Sequence, residues 1–191
     1  MTKYYMNNRV LLHICCAPDS TAVFEHLTHA YEVIGFFYNP NIHPQREYEK
    51  RKQEAQCVAS KMGFELIVPP YKPKEWLDAV KGLEKELEGG ERCAVCFQYN
   101  LRATAEKAKE LRIPYFTSTL TISPHKHSQE IISIGKSVEK GVGIKFLAVD
   151  FKKQDGFKRS LEFSDEMKLY RQNYCGCRFS RDEGEVGERD A

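Results

Sequence analysis

The sequence predicts an α/β fold, a doubly wound and mostly parallel sheet with helices on both faces. Short, almost wholly apolar runs are typical of strands buried on both faces of a parallel sheet. Segments with helical spacing separate these runs, in the order β-α-β-α-β-α-α-β-α-β. No internal repeat interrupts that alternation.

The individual strands and helices are predicted from apolar runs, from N-cap residues and from the glycines that end helices. The strand candidates are 10–14, 33–38, 65–68, 115–119 and 145–149. The helix candidates begin after Asp19 or Ser20 as N-cap, then cover 45–62 before Gly63, 74–87 before Gly89-Gly90, 96–111 and 128–140, with a last start at 163–166. Residues 121–124 are expected to form a loop.

Composition bounds the class of protein. With 191 residues, 41% of them hydrophobic, the chain can bury a core of ordinary size. We expect one domain over residues 1–181 and a disordered tail at 182–191, which contains five acidic residues and one basic residue. No signal-peptide pattern and no membrane-spanning run is present, so we expect a cytoplasmic protein without a membrane partner. Disulfides are then a poor explanation for the cysteines.

Six of the seven cysteines form three tight pairs that are widely separated along the chain. A tetrahedral zinc site takes four ligands. A four-iron cluster also takes four, which leaves two thiolates for a second ion. The pattern therefore predicts a redox metalloenzyme. The pairs are Cys15-Cys16, Cys93 with Cys96, and Cys175 with Cys177. Cys57, the seventh, is expected to be a packed thiol inside a helix.

Several candidate residues follow predicted strands. In such folds ligands bind beyond the carboxyl ends of the strands, where Cys15-Cys16, 39–44 and 118–123 are expected to meet. Adjacent cysteines in extended backbone point to opposite sides, so Cys15 and Cys16 would serve two neighbouring centres. Asp19 is either an iron ligand or an N-cap.

The sequence next to the other cysteines and histidines predicts their roles. Cys93 and Cys96 are expected just before a helix, whose dipole favours thiolate. Gly176 lets its flanking cysteines wrap around a centre. His13 is expected to be a core histidine, whereas His43 and His125 are candidates for substrate contact or proton transfer.

The segment after the first strand resembles the phosphate loop of PP-loop ATP pyrophosphatases, Ser-Gly-Gly-x-Asp-Ser. Here Cys16-Ala17 takes the place of the glycine pair, and Pro18 has no N–H to donate to phosphate. The loop shape is kept while the phosphate cradle is lost, so we expect no ATP site.

Six sequence blocks, in order and over almost the whole chain before the acidic tail, resemble the epoxyqueuosine reductase QueH family. They are Leu12 to Pro18, Tyr38 to Pro44, Arg92 to Phe97, Thr119 to Lys126, Gly156 to Ser160 and Leu169 to Cys177. One departure concerns Asp19, where family members often have a further cysteine.

The resemblance implies removal of the epoxide oxygen from epoxyqueuosine at the wobble position of tRNA, on a HUP or PP-loop-like fold with a C-terminal helical segment closing the metal site. It further implies a 4Fe-4S cluster with an adjacent mononuclear iron, no cobalamin, and an electron donor such as a ferredoxin or flavodoxin. The expected metal ligands are the six paired cysteines and Asp19, with Asp19 and His125 in catalysis. The anticodon stem-loop would be bound by rim and basic residues, namely Asn39, Asn41, His43, Lys158, Arg159 and Arg171.

Two other classes remain open at this point. A PP-loop-like tRNA sulfur-transferase would bind ATP and form a persulfide on a cysteine, which Pro18 disfavours. A structural zinc module that binds nucleic acid would have no use for six paired thiolates together with Asp19.

Overall fold

One parallel sheet organises the chain. The structure is a computed structural model that describes residues 8–181. Within those residues the strands pair in the order β3-β2-β1-β4-β5, and all pairs are parallel. The strands are Arg9–His13 (β1), Glu32–Phe36 (β2), Leu66–Ile67 (β3), Tyr115–Ser118 (β4) and Lys145–Phe146 (β5). The predicted fold class is confirmed.

Helices connect these strands and cover both faces of the sheet. They are Ala17–Thr28 (α1), Gln45–Met62 (α2), Pro73–Ala79 (α3), Glu91–Glu110 (α4), Ser128–Val142 (α5), Gly156–Met167 (α6) and Arg178–Arg181 (α7), with a 3-10 helix at Thr119–Ile122. None of the helices in this part of the chain is long and apolar enough to cross a membrane.

Alternation along β1 builds the two halves of the core. Val10 and Leu12 pack in a cluster with residues of α1 and α2, and Leu11 packs in a second cluster with residues of α4. All three side chains are fully buried. A continuous apolar run is therefore needed in β1, because each face meets a helical layer instead of water.

Two helices begin earlier than the sequence predicts. The helix expected from residue 96 begins at Glu91, because Gly90 in extended backbone serves as its N-cap. The predicted start at 163–166 is wrong, since α6 begins at Gly156. The buried face of α6 contains Ser160 and Ser164, whose hydroxyls donate to backbone carbonyls of the same helix. Those polar residues hide the apolar period that would have revealed the helix.

Two further segments differ locally. The helix expected over 74–87 ends at Ala79, and the buried guanidinium of Arg92 binds the carbonyls of Leu83, Glu84 and Glu86 in the turns that follow. The first two residues of the loop expected at 121–124 belong to the 3-10 helix that follows β4. The acidic tail predicted at 182–191 lies outside the described residues.

Candidate metal centre

A cavity of about 330 Å³ opens at the carboxyl ends of β1, β2 and β4. Every cysteine pair contributes at least one lining residue, and so do the loops after β2 and β4. The convergence expected at this edge of the sheet is observed. The predicted residues that line it are Cys15, Asp19, Asn39, Asn41, Cys96, His125, Arg171 and Cys175.

Cys15, Cys16 and Asp19 form one donor group. Their ligand atoms all lie within 4.8 Å of one another, with Cys15 Sγ 4.0 Å from Cys16 Sγ and 3.9 Å from Asp19 Oδ2. The expectation that the two cysteines point apart is wrong. Strand alternation does not apply to them, because β1 ends at His13 and Cys15 lies in the bend that follows.

Asp19 is not the N-cap of α1. The helix begins at Ala17 with Cys16 as its N-cap, which places Asp19 in the first turn. Its buried carboxylate lies beside Cys15 instead of capping the helix. Burial raises the pKa of Asp19, although the charges of Lys126 and Arg171 act in the opposite direction.

The two adjacent thiols differ in acidity. The hydrogen bond that Cys15 and Cys16 share lowers the pKa of Cys15 and raises that of Cys16. Thr119 also donates its hydroxyl to Cys15 Sγ at 3.1 Å. Cys15 is therefore the first of the pair to become a thiolate, the form that binds metal.

The other four paired cysteines are the candidates for a second donor group. Cys93 and Cys96 lie in the first two turns of α4, not before the helix as predicted. Cys96 and Cys177 are buried in one cluster, with Cys175 against it. Charge on Cys175 raises the pKa of Cys93, Cys96 and Cys177, so these sulfurs are electrostatic neighbours.

Burial, more than the helix dipole, decides the acidity of this group. It raises the pKa of Cys93 and of Cys96, and it raises that of Cys177 to about 11. The predicted dipole effect on Cys93 and Cys96 is therefore outweighed. Burial raises the pKa of three of these thiols, those of Cys93, Cys96 and Cys177, so a strong positive charge would be needed to hold them as thiolates, and a metal centre would provide it.

The segment after α6 closes the site. Cys177 pairs with Ile42 in an isolated antiparallel bridge, and His43 N–H donates to Gly176 O at 2.8 Å. Arg51 donates to the carbonyls of Cys175 at 2.9 Å and Tyr174 at 3.3 Å. The predicted C-terminal closure thus consists of an extended arm followed by the short helix α7.

The remaining predicted residues lie at various distances from the cavity. His125 is exposed at its edge, and His43 is half-buried against Trp76, with ring centres 5.8 Å apart. Asn39 and Asn41 are buried beneath it. Arg171 lines the cavity and donates to the Ser164 hydroxyl at 2.9 Å.

The basic residues of α6 do not line this cavity. Lys158 is exposed. Arg159 is paired with Glu25 and Glu162 and lines a separate cleft beside α1.

Two predictions about single residues outside the site have opposite outcomes. His13 is fully buried, between the Ser118 hydroxyl at 2.9 Å and Tyr38 O at 3.1 Å, as expected of a core histidine. Cys57 is exposed, so the expectation of a packed thiol is wrong. Residue 57 lies on the outer face of α2, next to buried Val58.

Sequence reasoning missed three residues of the site. Lys126 lines the cavity, and burial lowers its pKa, but the charges of Cys175, Cys15 and Asp19 outweigh burial and hold that pKa above its ordinary value. Arg51 is buried although it belongs to a largely polar helix, and its Nε lies 2.6 Å from Glu47 Oε1. Trp76 is fully buried beside Cys96. Only for Lys126 did a signal exist, its place next to His125 in a rim loop.

The sequence of this chain matches a family model described as epoxyqueuosine reductase QueH over residues 10–183. It is 46% identical over 174 residues to the epoxyqueuosine reductase QueH of Streptococcus pyogenes, covering 88% of this chain and 68% of the relative. The chain belongs to the QueH family. The QueH of Thermotoga maritima is 39% identical over 175 residues, which cover 90% of this chain and 89% of that protein.

Two solved structures resemble the fold of this QueH family member. The U34-tRNA thiolase NcsA of Methanococcus maripaludis, determined with its 4Fe-4S cluster, superimposes with a TM-score of 0.57 over 91% of this chain and 61% of that one, at 14% identity. A predicted subunit of tRNA methyltransferase from Methanocaldococcus jannaschii superimposes with a TM-score of 0.53 over 82% of this chain and 76% of that one, at 15% identity. These likenesses confirm the PP-loop-like fold expected from the sequence.

Proposed function

We propose that this protein reduces epoxyqueuosine to queuosine at the wobble position of tRNA. Both C–O bonds of the epoxide break and a carbon–carbon double bond forms. The oxygen takes up two electrons and two protons and leaves as water. The observation that carries this proposal is one cavity bordered by two separate metal-donor groups, in a chain of the QueH family.

The two donor groups fit two different metal centres. Cys15, Cys16 and Asp19 converge within 4.8 Å, as the ligands of a single ion must, and would hold a mononuclear iron. The other four cysteines would hold a 4Fe-4S cluster, whose thiolates attach to different irons and therefore lie farther apart. They are Cys93, Cys96, Cys175 and Cys177. When bound, these centres supply single-electron transfer and a Lewis acid, which makes cobalamin unnecessary.

The size of the cavity suits a small substrate. Its 330 Å³ lies within the range of small-molecule sites, about 300–1,000 Å³, as expected of a pocket that receives one extruded nucleoside. Asn39 and Asn41 form its buried floor and offer amide groups to a polar substrate.

Charged residues at the cavity have roles that follow from their position. Lys126 is a cation held beside Cys15 and Asp19, and it would bind the oxygen as negative charge develops there. Exposed His125 can pass protons between water and the cavity. Asp19 would orient the ion nearest the epoxide, and Arg171, with Lys158 outside the cavity, would meet anticodon phosphates.

The sulfur-transferase alternative finds less support. A phosphate site would need backbone N–H groups at the start of α1, but Cys16 is the N-cap and Pro18 occupies the first turn. We therefore expect that ATP is neither bound nor required. We also place the reaction in the cytoplasm, where thiols stay reduced and a ferredoxin or flavodoxin can supply the electrons.

The deciding experiment uses protein prepared without air. It should be brown and contain about five irons per chain, four in the cluster and one beside it. Incubated with a reductant and tRNA that carries epoxyqueuosine, it should yield a nucleoside lighter by one oxygen, measured by mass spectrometry after digestion. The Cys57→Ser protein should behave like the wild type and the Cys96→Ser protein should be inactive. A fully loaded protein that leaves the epoxide intact contradicts the proposal, and so does a colourless protein containing only zinc.

A further inference from the structure

The only tryptophan of the chain is buried beside the second donor group. Trp76 in α3 is fully buried and packs in one cluster with Cys96 and Cys177. Its ring lies 5.8 Å from that of His43 and 6.1 Å from that of Phe179. Aromatic and aliphatic neighbours thus fix the indole at the wall of the site formed by α3, α4 and the C-terminal arm.

The indole N–H of Trp76 is a buried donor without a hydrogen-bonded partner in the described part of the chain. Leaving such a donor unpaired costs about 1–3 kcal/mol, a penalty that phenylalanine or leucine in this apolar cluster would avoid. The N–H therefore indicates an acceptor on this wall. The Cys96 sulfur fits that position, because Cys96 is buried in the same cluster as the indole.

Asn100 supplies a second donor to the same sulfur. It lies one turn after Cys96 in α4, and its Nδ2 is 3.8 Å from Cys96 Sγ and 3.2 Å from Asn41 Oδ1. Both neighbours accept hydrogen bonds, which fixes the amide with Nδ2 toward them. Cys96 thus receives an amide N–H from its own helix and shares a buried cluster with the indole of α3.

We propose that the indole N–H of Trp76 donates a hydrogen bond to the Cys96 thiolate when this residue holds the iron–sulfur cluster, and that this bond, with that of Asn100, raises the reduction potential of the cluster. Hydrogen bonds to cluster sulfurs stabilise the more negative, reduced state. Trp76 is thus a positioning residue, because it acts on the cluster through Cys96 and not on the substrate. The inference rests on the proposed cluster and goes beyond it by naming the residue that sets its potential.

The test exploits the single tryptophan. Growth of a tryptophan auxotroph on the benzothiophene analogue replaces only Trp76, keeping the shape of the ring and removing the N–H. We expect equal iron and sulfide content and a midpoint potential more negative than that of the wild type, measured by spectroelectrochemistry. The Trp76→Phe protein should shift in the same direction. Tyr99→Phe is the matched control, because its hydroxyl meets Tyr38 at 3.4 Å and no cysteine sulfur, so its potential should equal the wild-type value.

The outcomes separate this inference from the proposed function. Equal potentials in the wild-type and benzothiophene proteins, both with full clusters, would overturn the role of Trp76 while leaving the reductase activity in place. An equal shift in the Tyr99→Phe protein would overturn it too, because the effect would then come from packing. A wild-type protein that holds no cluster would overturn the proposed function itself, and this inference with it.

Discussion

The guanidinium of Arg51 occupies the space in which a side chain at Gly176 would stand. A Cβ built on Gly176 would lie 2.7 Å from Nη1 of Arg51. The backbone at Gly176 has φ +96°, a conformation that other residues adopt only with strain. This contact lets Arg51 reach the carbonyl of Cys175, so the glycine between two cysteines makes room for the arginine as well as for the turn of the chain.

We predict that Gly176→Ala displaces Arg51 and loosens the arm that carries Cys175 and Cys177. The left-handed backbone alone should cost about 1–3 kcal/mol, and iron content should fall. Denaturant unfolding and iron analysis measure the two effects. Gly141→Ala is the control, since no atom lies within 4 Å of its Cβ position in α5 and alanine favours the helix by about 0.5–1 kcal/mol. Similar behaviour of the two variants would contradict this account.

We predict that His13 makes stability depend on pH. Burial lowers its pKa from 6.5 to about 4. Between those values the unfolded chain binds a proton that the folded chain does not, so stability is lost as the pH falls, by up to about 3 kcal/mol. Urea unfolding at several pH values should show this loss in the wild type and a smaller one in His13→Gln, which lacks the titrating ring. Parallel pH profiles of the two proteins would refute the prediction.

We predict that cysteine variants separate into two classes by spectrum. Cys15→Ser and Cys16→Ser should lose about one iron and keep the cluster absorption. Serine in place of any cysteine of the second donor group should remove that absorption and about four irons. Both classes should lose activity. The exposed Cys57 gives the control, and its serine variant should differ in stability by less than about 0.5 kcal/mol. Loss of iron in that control would contradict the assignment.

We predict that exposed Lys158 contributes to tRNA binding. Lys158→Glu should raise the KM for tRNA more than it lowers kcat, and it should reduce the salt dependence of binding. Arg159 is less suitable, because reversing its charge would also break its pairs with Glu25 and Glu162. Lys140→Glu, in the last turn of α5, is the matched charge reversal. If both charge reversals raised KM equally, the effect would come from the overall charge of the protein and not from a contact between tRNA and α6.

Local sequence was enough to predict the frame of the molecule. The helix expected over 45–62 has those bounds in the structure, because Gly63, with φ +76°, ends it. The apolar run that forms β1 is buried on both faces, as its composition requires. Strand order in a doubly wound sheet then brings Cys15 and Ser118 to the same edge, since β1 pairs with β4.

The parts that could not be predicted depend on contacts between distant segments. A charged residue in a polar helix gives no sign that it will be buried, as Arg51 is, against carbonyls that lie more than a hundred residues away. The convergence of Cys15 with Cys16 depends on the bend after β1, where strand alternation no longer applies. The position of Trp76 likewise follows from how α3 docks on α4.

The bridge between Ile42 and Cys177 fastens the C-terminal arm to the loop that follows β2. The segment after α6 is also tied to the body by His43 N–H and by the guanidinium of Arg51. Tyr170 contacts Glu47 and Glu54, and Phe179 packs against Trp76. A metal that joined Cys93 to Cys177 would add a cross-link to these contacts and close a chain loop that spans nearly half of the protein. Its binding energy would become folding energy for the arm. We therefore expect the supply of iron to act on the lifetime of the protein in the cell as well as on its catalysis, because an arm without metal would open to proteases more often.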